Sequence, residues 1–194
     1  MSDLWPEIRS RFEEAFTMAK GVESIEPTAM VLATASADGR PSSRTVLLKS
    51  FDDDGFVFYT NLHSRKARHL AENPCASLTF FWKPLMQQVQ TEGGVERVTD
   101  AEADAYWRTR ARESQIGAWA SDQSATLSSR EELVERVRRA EERFPDVVPR
   151  PPHWSGFRLR PDRIEFWTSG THRLHDRILY ERGEQGWTMR RIFP

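Results

Sequence analysis

Residues 28–61 read TAMVLATASADGRPSSRTVLLKSFDDDGFVFYTN, apolar runs interrupted by turn chemistry at Asp38-Gly39 and Asp54-Gly55. Asp-Gly between apolar runs is hairpin punctuation, because glycine supplies the positive φ that tight turns need. Successive hairpins commit neighbouring strands to antiparallel pairing. ASLTFFW and MQQVQTEGGVERV predict two further strands, the second long and bent or bulged at Gly93-Gly94. GFRLRPDRIEFW, RILYER and GWTMRRIF return the chain to strands near its carboxyl end. Helices fill the intervals. Leu4, Ile8, Phe12 and Phe16 recur every four residues, predicting an amphipathic helix over about 3–20 that ends near KGVES. SRKARHLAENP predicts a short helix opening at Ser64 and stopped by Asn73-Pro74. Thr99 with Glu102 forms a capping box that starts a helix through Tyr106 to about Arg110, and Ser129 with Glu132 forms another. FPDVVPRPPHW reads as a proline-stiffened connector. The sum is a single α+β domain over 1–194, a small antiparallel barrel with flanking helices.

Composition narrows the partners. A formal net charge of −1 argues against a general nucleic-acid binder, which needs excess Lys and Arg to neutralise phosphates. No run of eighteen apolar residues spans a membrane, and the acidic amino terminus lacks the apolar core of a secretory signal. Cys75 is the only cysteine, which excludes an internal disulfide framework and suits a reducing cytoplasm. The five histidines show no metal-ligand spacing, and there is no GxGxxG, P-loop or GxSxG elbow.

Four donor clusters stand out against that neutral background. In EFWTSGTHRLHDRILYER, Arg173, His175 and Arg177 alternate, so an extended chain would present all three on one face; a solvated edge strand is the bland alternative. In SRTVLLKS, Arg44 and Lys49 bracket four mostly aliphatic residues expected to be buried, and at a separation of five they face opposite sides of a regular strand. In YTNLHSRKARHL, Arg65 and Lys66 fall in the first turn of a helix, where cations oppose the dipole unless an anion binds. In YWRTRARES, Tyr106 and Arg110 lie one turn apart with Ser114 close behind, all donors suited to phosphate oxygens, although a solvated helix end explains them too. Four such clusters with no net positive charge point to small phosphorylated molecules rather than a polymer.

In this order, PTAMVLAT, RTVLLK, GFVFYTN, SRKARHLAENP, ESQIGAWASDQS, EFW and RLHDR resemble the pyridoxamine 5′-phosphate oxidase family over about Glu26 to Pro194. The resemblance implies a split β-barrel that binds FMN across a homodimer interface. It implies an FMN phosphate held by Arg44, Arg65 and Lys66 beside Thr60. The flavin would be lined by Thr45, Val46, Leu47, Leu48, Lys49 and Tyr59, with Gln88, Gln123, Ser124, Trp167 and Arg177 completing the site. The substrate phosphate would fall to Lys49, Tyr106, Arg110 and Ser114, with Arg173 and His175 against the reacting ring of pyridoxamine or pyridoxine 5′-phosphate and oxygen as final acceptor. Two departures bear on the substrate: the family's N-terminal arm, with an Arg and a Tyr that close over it, has no counterpart here, and Gln87 and Gln90 stand where many relatives have Arg. A relative acting on another ring system, as in phenazine biosynthesis, and a non-catalytic flavin or pyridoxal-phosphate carrier are the alternatives.

Overall fold

The computed structural model describes residues 4–194; position 3, where the first predicted helix was expected to open, lies outside them. Helix α1 runs Trp5–Val22 and buries Ile8, Phe12, Ala15 and Ala19, one stripe of an amphipathic helix. The hairpin region forms β1 (Ala29–Ala35), β2 (Pro41–Leu47), β3 (Ser50–Asp52) and β4 (Gly55–Asn61), with Gly39 at φ 80° and Gly55 at φ 127° in the turns that their Asp-Gly pairs predict. Helix α2 (Arg65–Glu72) starts at Ser64, whose hydroxyl accepts from the Ala67 N–H. Then come β5 (Cys75–Trp82) and β6 (Gln87–Arg97), helices α3 (Asp100–Thr109), α4 (Arg112–Ala120) and α5 (Arg130–Arg143), and strands β7 (Trp154–Thr168), β8 (Asp176–Gly183) and β9 (Gly186–Arg191).

All nine strands join one antiparallel sheet in the order β2-β1-β5-β6-β7-β4-β3, with β8 on β7 and β9 on β8. Its organiser is the fifteen-residue β7. One edge of β7 pairs with β6 along nearly its whole length, while the other is shared, β4 taking Trp154–Leu159 and β8 taking Arg163–Thr168. The β6–β7 register slips between Glu92 and Gly93, where the sequence placed a bend. A Cβ on Gly93 would collide with the Arg160 carbonyl, so only glycine lets the strands approach there.

Two apolar clusters hold the curled sheet. Phe12 packs edge-on against Phe51 at 4.5 Å and Phe56 at 5.0 Å, seating α1 on the sheet beside Phe80 and Trp82. Burying each such ring contributes about 1.5–3 kcal/mol. The second cluster joins Trp107 of α3, Ile116 of α4, Ala140 of α5, Val148 and Trp154. The proline-rich connector is pinned to it, as Trp107 and Trp119 donate indole N–H bonds of 2.8 Å to the carbonyls of Val148 and Pro149.

Several expectations need correction. The segment holding Arg173 and His175 is not extended: residues 171–173 form a single 3-10 turn, His172 and Arg173 have φ of 56° and 65°, and β8 begins only at Asp176. Residues 45–48 are not a buried run, because β2 is an edge strand and only Leu48, just past its end, is buried. The second capping box is half formed: Ser129 caps the Glu132 N–H, but the Glu132 carboxylate reaches the Ser128 N–H instead. Helix α4 was not foreseen.

Gly156 on β7 makes room for Tyr59, since a Cβ there would sit 2.7 Å from the ring. Gly156→Ala should therefore lower the unfolding free energy by about 1–3 kcal/mol, the usual cost of overpacking. Urea unfolding checks this, and an unchanged midpoint would mean the ring is not held where it lies.

Candidate functional site

A cavity of about 970 Å³ opens between β2, the end of β4, the start of α2 and the α3–α4 corner. Arg44, Lys49, Arg65, Lys66 and Arg110 line it, and no carboxylate does. Three arginines elsewhere, on β7, β8 and the connector, are neutralised. Arg158 is clamped by Asp52 and Glu102, Arg150 by Asp100 and Asp104, and Arg177 by both oxygens of Glu165. The contrast is informative because burying a cation without a counterion costs free energy that ion pairing would offset.

Arg44, Lys66 and Arg110 are held by neutral groups. Arg44 reaches across the β1–β2 pair to the Leu32 carbonyl at 3.1 Å and the hydroxyls of Thr34 and Ser42 at 2.8 Å. Burial, and then the charge of Arg65, hold its pKa below the ordinary arginine value. Lys66 projects from the first turn of α2, and its ammonium donates to Thr60 Oγ1 at 3.1 Å and Gln123 Oε1 at 3.0 Å. Burial, reinforced by Arg44, pushes it down to about 8. Of the first N–H groups of α2, that of Arg65 is taken by the Ser124 hydroxyl at 3.2 Å and that of Ala67 by Ser64, so the helix start is largely satisfied internally. Side-chain charge therefore dominates this wall.

The opposite wall is aromatic. Tyr59 lies between Tyr106, with centroids 4.1 Å apart, and Trp154, at 5.2 Å, in near-parallel stacking. Arg110 lies over Trp154 at 4.8 Å and donates to the Ser114 carbonyl at 2.9 Å. Its Nε is buried with no hydrogen-bond partner, and burial lowers its pKa. Arg110 lines the cavity, and a guanidinium there is a place for an anionic oxygen.

Of the residues expected at the site, Arg44, Thr45, Val46, Leu47, Lys49, Tyr59, Thr60, Arg65, Lys66, Tyr106, Arg110, Ser114, Gln123 and Ser124 meet in this one cavity. Arg44 and Lys49 do so despite their odd spacing, because β2 ends at Leu47 and the chain turns before Lys49. Leu48 points into the core instead. Gln88 and Trp167 line a separate cavity of about 320 Å³ against α1. His175 accepts from the Gly170 N–H at 3.2 Å and lies 4.6 Å from Trp167, while Arg177 faces Glu165 and the Phe193 carbonyl. Arg173 is exposed and makes no ion pair or hydrogen bond among the described residues. Sequence reasoning missed Asn61, Ser121 and Trp154, which also line the large cavity; Asn61 bonds the Ser121 carbonyl at 3.2 Å, tying β4 to the end of α4. An Asn closing a strand just before a helix cap was the available signal.

A curled antiparallel sheet with a cavity that cations line and no carboxylate does defines the class, a split barrel. Comparison with known proteins agrees. The profile described as Pyridoxamine 5′-phosphate oxidase matches residues 17–168, and that of the Pyridoxine 5′-phosphate oxidase C-terminal dimerisation region matches 154–194. The chain belongs to the pyridoxamine 5′-phosphate oxidase family. It is 56% identical over 190 residues to the pyridoxine/pyridoxamine 5′-phosphate oxidase of Myxococcus xanthus (strain DK1622), covering 97% of this chain and 92% of that protein. It is 55% identical over 188 residues to that of Alkalilimnicola ehrlichii, covering 95% and 96%. Among solved structures it resembles PhzG from Burkholderia lata 383 in complex with tetrahydrophenazine-1-carboxylic acid, with TM-score 0.92, 32% identity and coverage of 100% and 98%. A pyridoxamine 5′-phosphate oxidase-related, FMN binding protein from Nostoc punctiforme shares the fold, with TM-score 0.78, 19% identity and coverage of 96% and 97%. Among the described residues no helix is long and apolar enough to cross a membrane, and no group of metal-ligating side chains gathers.

The depressed Lys66 makes a signed prediction. Its amine titrates at about 8 in the fold against 10.5 ordinarily, so folding carries a cost that is fully present below about pH 8 and is relieved as pH rises toward the unfolded value. Lys66→Met should raise the melting temperature of the ligand-free protein at neutral pH, with the gain shrinking above about pH 8. A variant that melts lower than wild type at neutral pH would contradict this.

Proposed function

We propose that the protein is an FMN-dependent oxidase that converts pyridoxamine 5′-phosphate or pyridoxine 5′-phosphate to pyridoxal 5′-phosphate, with oxygen reduced to hydrogen peroxide. The observation that carries this reading is the set of cavity cations with no carboxylate in the cavity lining, where Arg150, Arg158 and Arg177 elsewhere are each paired with one. The residues present fit the cofactor. Arg44, Arg65 and Lys66 with Thr60 would hold its phosphate, the 45–49 segment and Tyr59 would face its ring, and Gln123 with Ser124 would bond its edge. Arg110, with Lys49, Tyr106 and Ser114, gives a second anion seat in the same cavity for the substrate phosphate. When bound, FMN supplies two-electron acceptance from the substrate and reoxidation by oxygen. The chain's own work is to hold two phosphorylated rings in register, which removes much of the entropic barrier to their reaction.

Gln88, Trp167, His175 and Arg177 lie toward the far end of β7 from Trp154, which is roughly 40 Å of strand away at about 3.3 Å per residue. One small cofactor cannot span that length. The reading therefore takes these residues from a second copy of the chain, consistent with the dimerisation-region match at 154–194. In this assignment His175 orients the substrate. Its Nδ1 accepts from Gly170, so the neutral ring carries its proton on Nε2 and presents a donor. Arg173, free of internal partners, would face the substrate beside it. The second reading, oxidation of a phenazine-type ring, is favoured by the likeness to PhzG, but the intact phosphate donors speak for a phosphorylated substrate.

Two measurements test this. The protein reconstituted with FMN should be yellow and should bleach without oxygen on adding pyridoxamine 5′-phosphate, not on adding a tetrahydrophenazine carboxylate; the reverse pattern would favour the second reading, and no bleaching with either would refute both. Arg110→Met should raise KM for pyridoxamine 5′-phosphate about tenfold or more while FMN affinity holds, since a charge-assisted hydrogen bond contributes roughly 1.5–3 kcal/mol. Loss of FMN in that variant would move Arg110 to the cofactor.

A further inference from the structure

We propose that His69, behind the cavity wall, is a positioning residue that fixes the two arginines of the cofactor-phosphate seat as a neutral imidazole; the inference rests on the FMN reading above. His69 is 7% exposed on the inner face of α2 and does not line the cavity. The Arg65 Nε–H donates to its Nε2 at 3.4 Å. A guanidinium has donors only, so Nε2 must be the unprotonated nitrogen, and the ring proton sits on Nδ1. Nδ1 faces Thr34 Oγ1 at 3.3 Å, and the same oxygen accepts from Arg44 at 2.8 Å. A continuous chain, Arg65–His69–Thr34–Arg44, thus runs from α2 through β1 to β2 and ties together two cations from separate elements.

The choice of an imidazole has a physical logic. A carboxylate here would orient both guanidiniums but would also neutralise them, competing with the phosphate they serve. A neutral imidazole accepts from one cation and donates toward the hydroxyl that holds the other, leaving both charges available. Protonation would turn Nε2 into a donor facing a donor and would add a fourth cation beside Arg44, Arg65 and Lys66. The charged groups near the ring are Arg65, Lys66, Arg68 and Glu72 on its own helix, Arg44 on β2, and Asp38 in the β1–β2 turn. Asp38 is exposed and already engaged by Ser36 and Arg40, and the Glu72 carboxylate bonds the Ala37 N–H at 3.3 Å, so neither stands between the ring and the arginines.

The test titrates FMN and riboflavin, which lacks the phosphate, into ligand-free wild type, His69→Gln and His69→Leu, reading flavin fluorescence. His69→Leu should weaken FMN binding about tenfold, the scale of a lost charge-assisted contact, with riboflavin affected less than about twofold. His69→Gln, whose amide can accept from Arg65 and donate to Thr34, should stay within about threefold of wild type for FMN. On acidification from about pH 8 to about pH 5.5, wild type should lose more of its preference for FMN over riboflavin than His69→Gln does, since only the imidazole can become a cation. Equal preference in His69→Leu and wild type, or an equal pH response in wild type and His69→Gln, would overturn the inference alone. Should His69→Leu fail to fold, the pH comparison between wild type and His69→Gln decides by itself. A wild type with no preference for FMN over riboflavin would overturn the cofactor reading and this inference together.

Discussion

The structure turns on a group of cations kept charged and unneutralised inside one cavity. Burial lowers the proton affinity of both Arg44 and Lys66, Arg65 adding to the effect on the first and Arg44 to that on the second; holding them there is unfavourable and persists because rigid elements impose it. Arg44 is stretched over the β1–β2 pair, Lys66 is anchored in the first turn of α2, and both rest on strands packed into the aromatic core around Phe12, Phe56 and Phe80. Free energy gained in the core thus sustains repulsion at the rim, a common arrangement where a site must be ready before its ligand arrives.

The polar partners in that cavity are neutral throughout. Thr60 and Gln123 cradle the Lys66 ammonium, Ser124 occupies the Arg65 N–H, and Thr34 and Ser42 steady Arg44. Hydroxyls and amides satisfy hydrogen-bonding geometry without removing charge, so the ligand-free cavity is ordered and still attractive to an anion. Outside it, the opposite rule holds. Arg158 and Arg150 are each locked by two carboxylates, which serve to tie α3 and the connector to the sheet.

Much of this was legible in the sequence, for identifiable reasons. Asp-Gly pairs, the Thr99–Glu102 box and the stop at Asn73-Pro74 are local signals, and each corresponds to an observed turn, start or end. The gathering of Arg65, Lys66, Tyr106 and Arg110 came from donor chemistry joined to a family resemblance, since no local rule brings α2 to the α3–α4 corner. What failed was orientation. Alternation at Arg173, His175 and Arg177 suggested one face, but positive φ at His172 and Arg173 breaks the strand before Asp176. Leu48 looked like its neighbours yet turns inward where β2 ends. Helix α4 carries no cap signal at Ala111, and its start is set by packing against α5 and the connector, which sequence periodicity does not reveal.

The two walls of the large cavity rest on different foundations. Arg44, Arg65 and Lys66 depend on the main core beneath α1, whereas Tyr106, Arg110 and Ser114 ride on helices that carry their own cluster around Trp107 and Trp154. The two walls meet just past α4, where Gln123 bonds the Lys66 ammonium and Ser124 the Arg65 N–H. A change at the end of α4 is therefore felt by the cations as well as by the wall it belongs to.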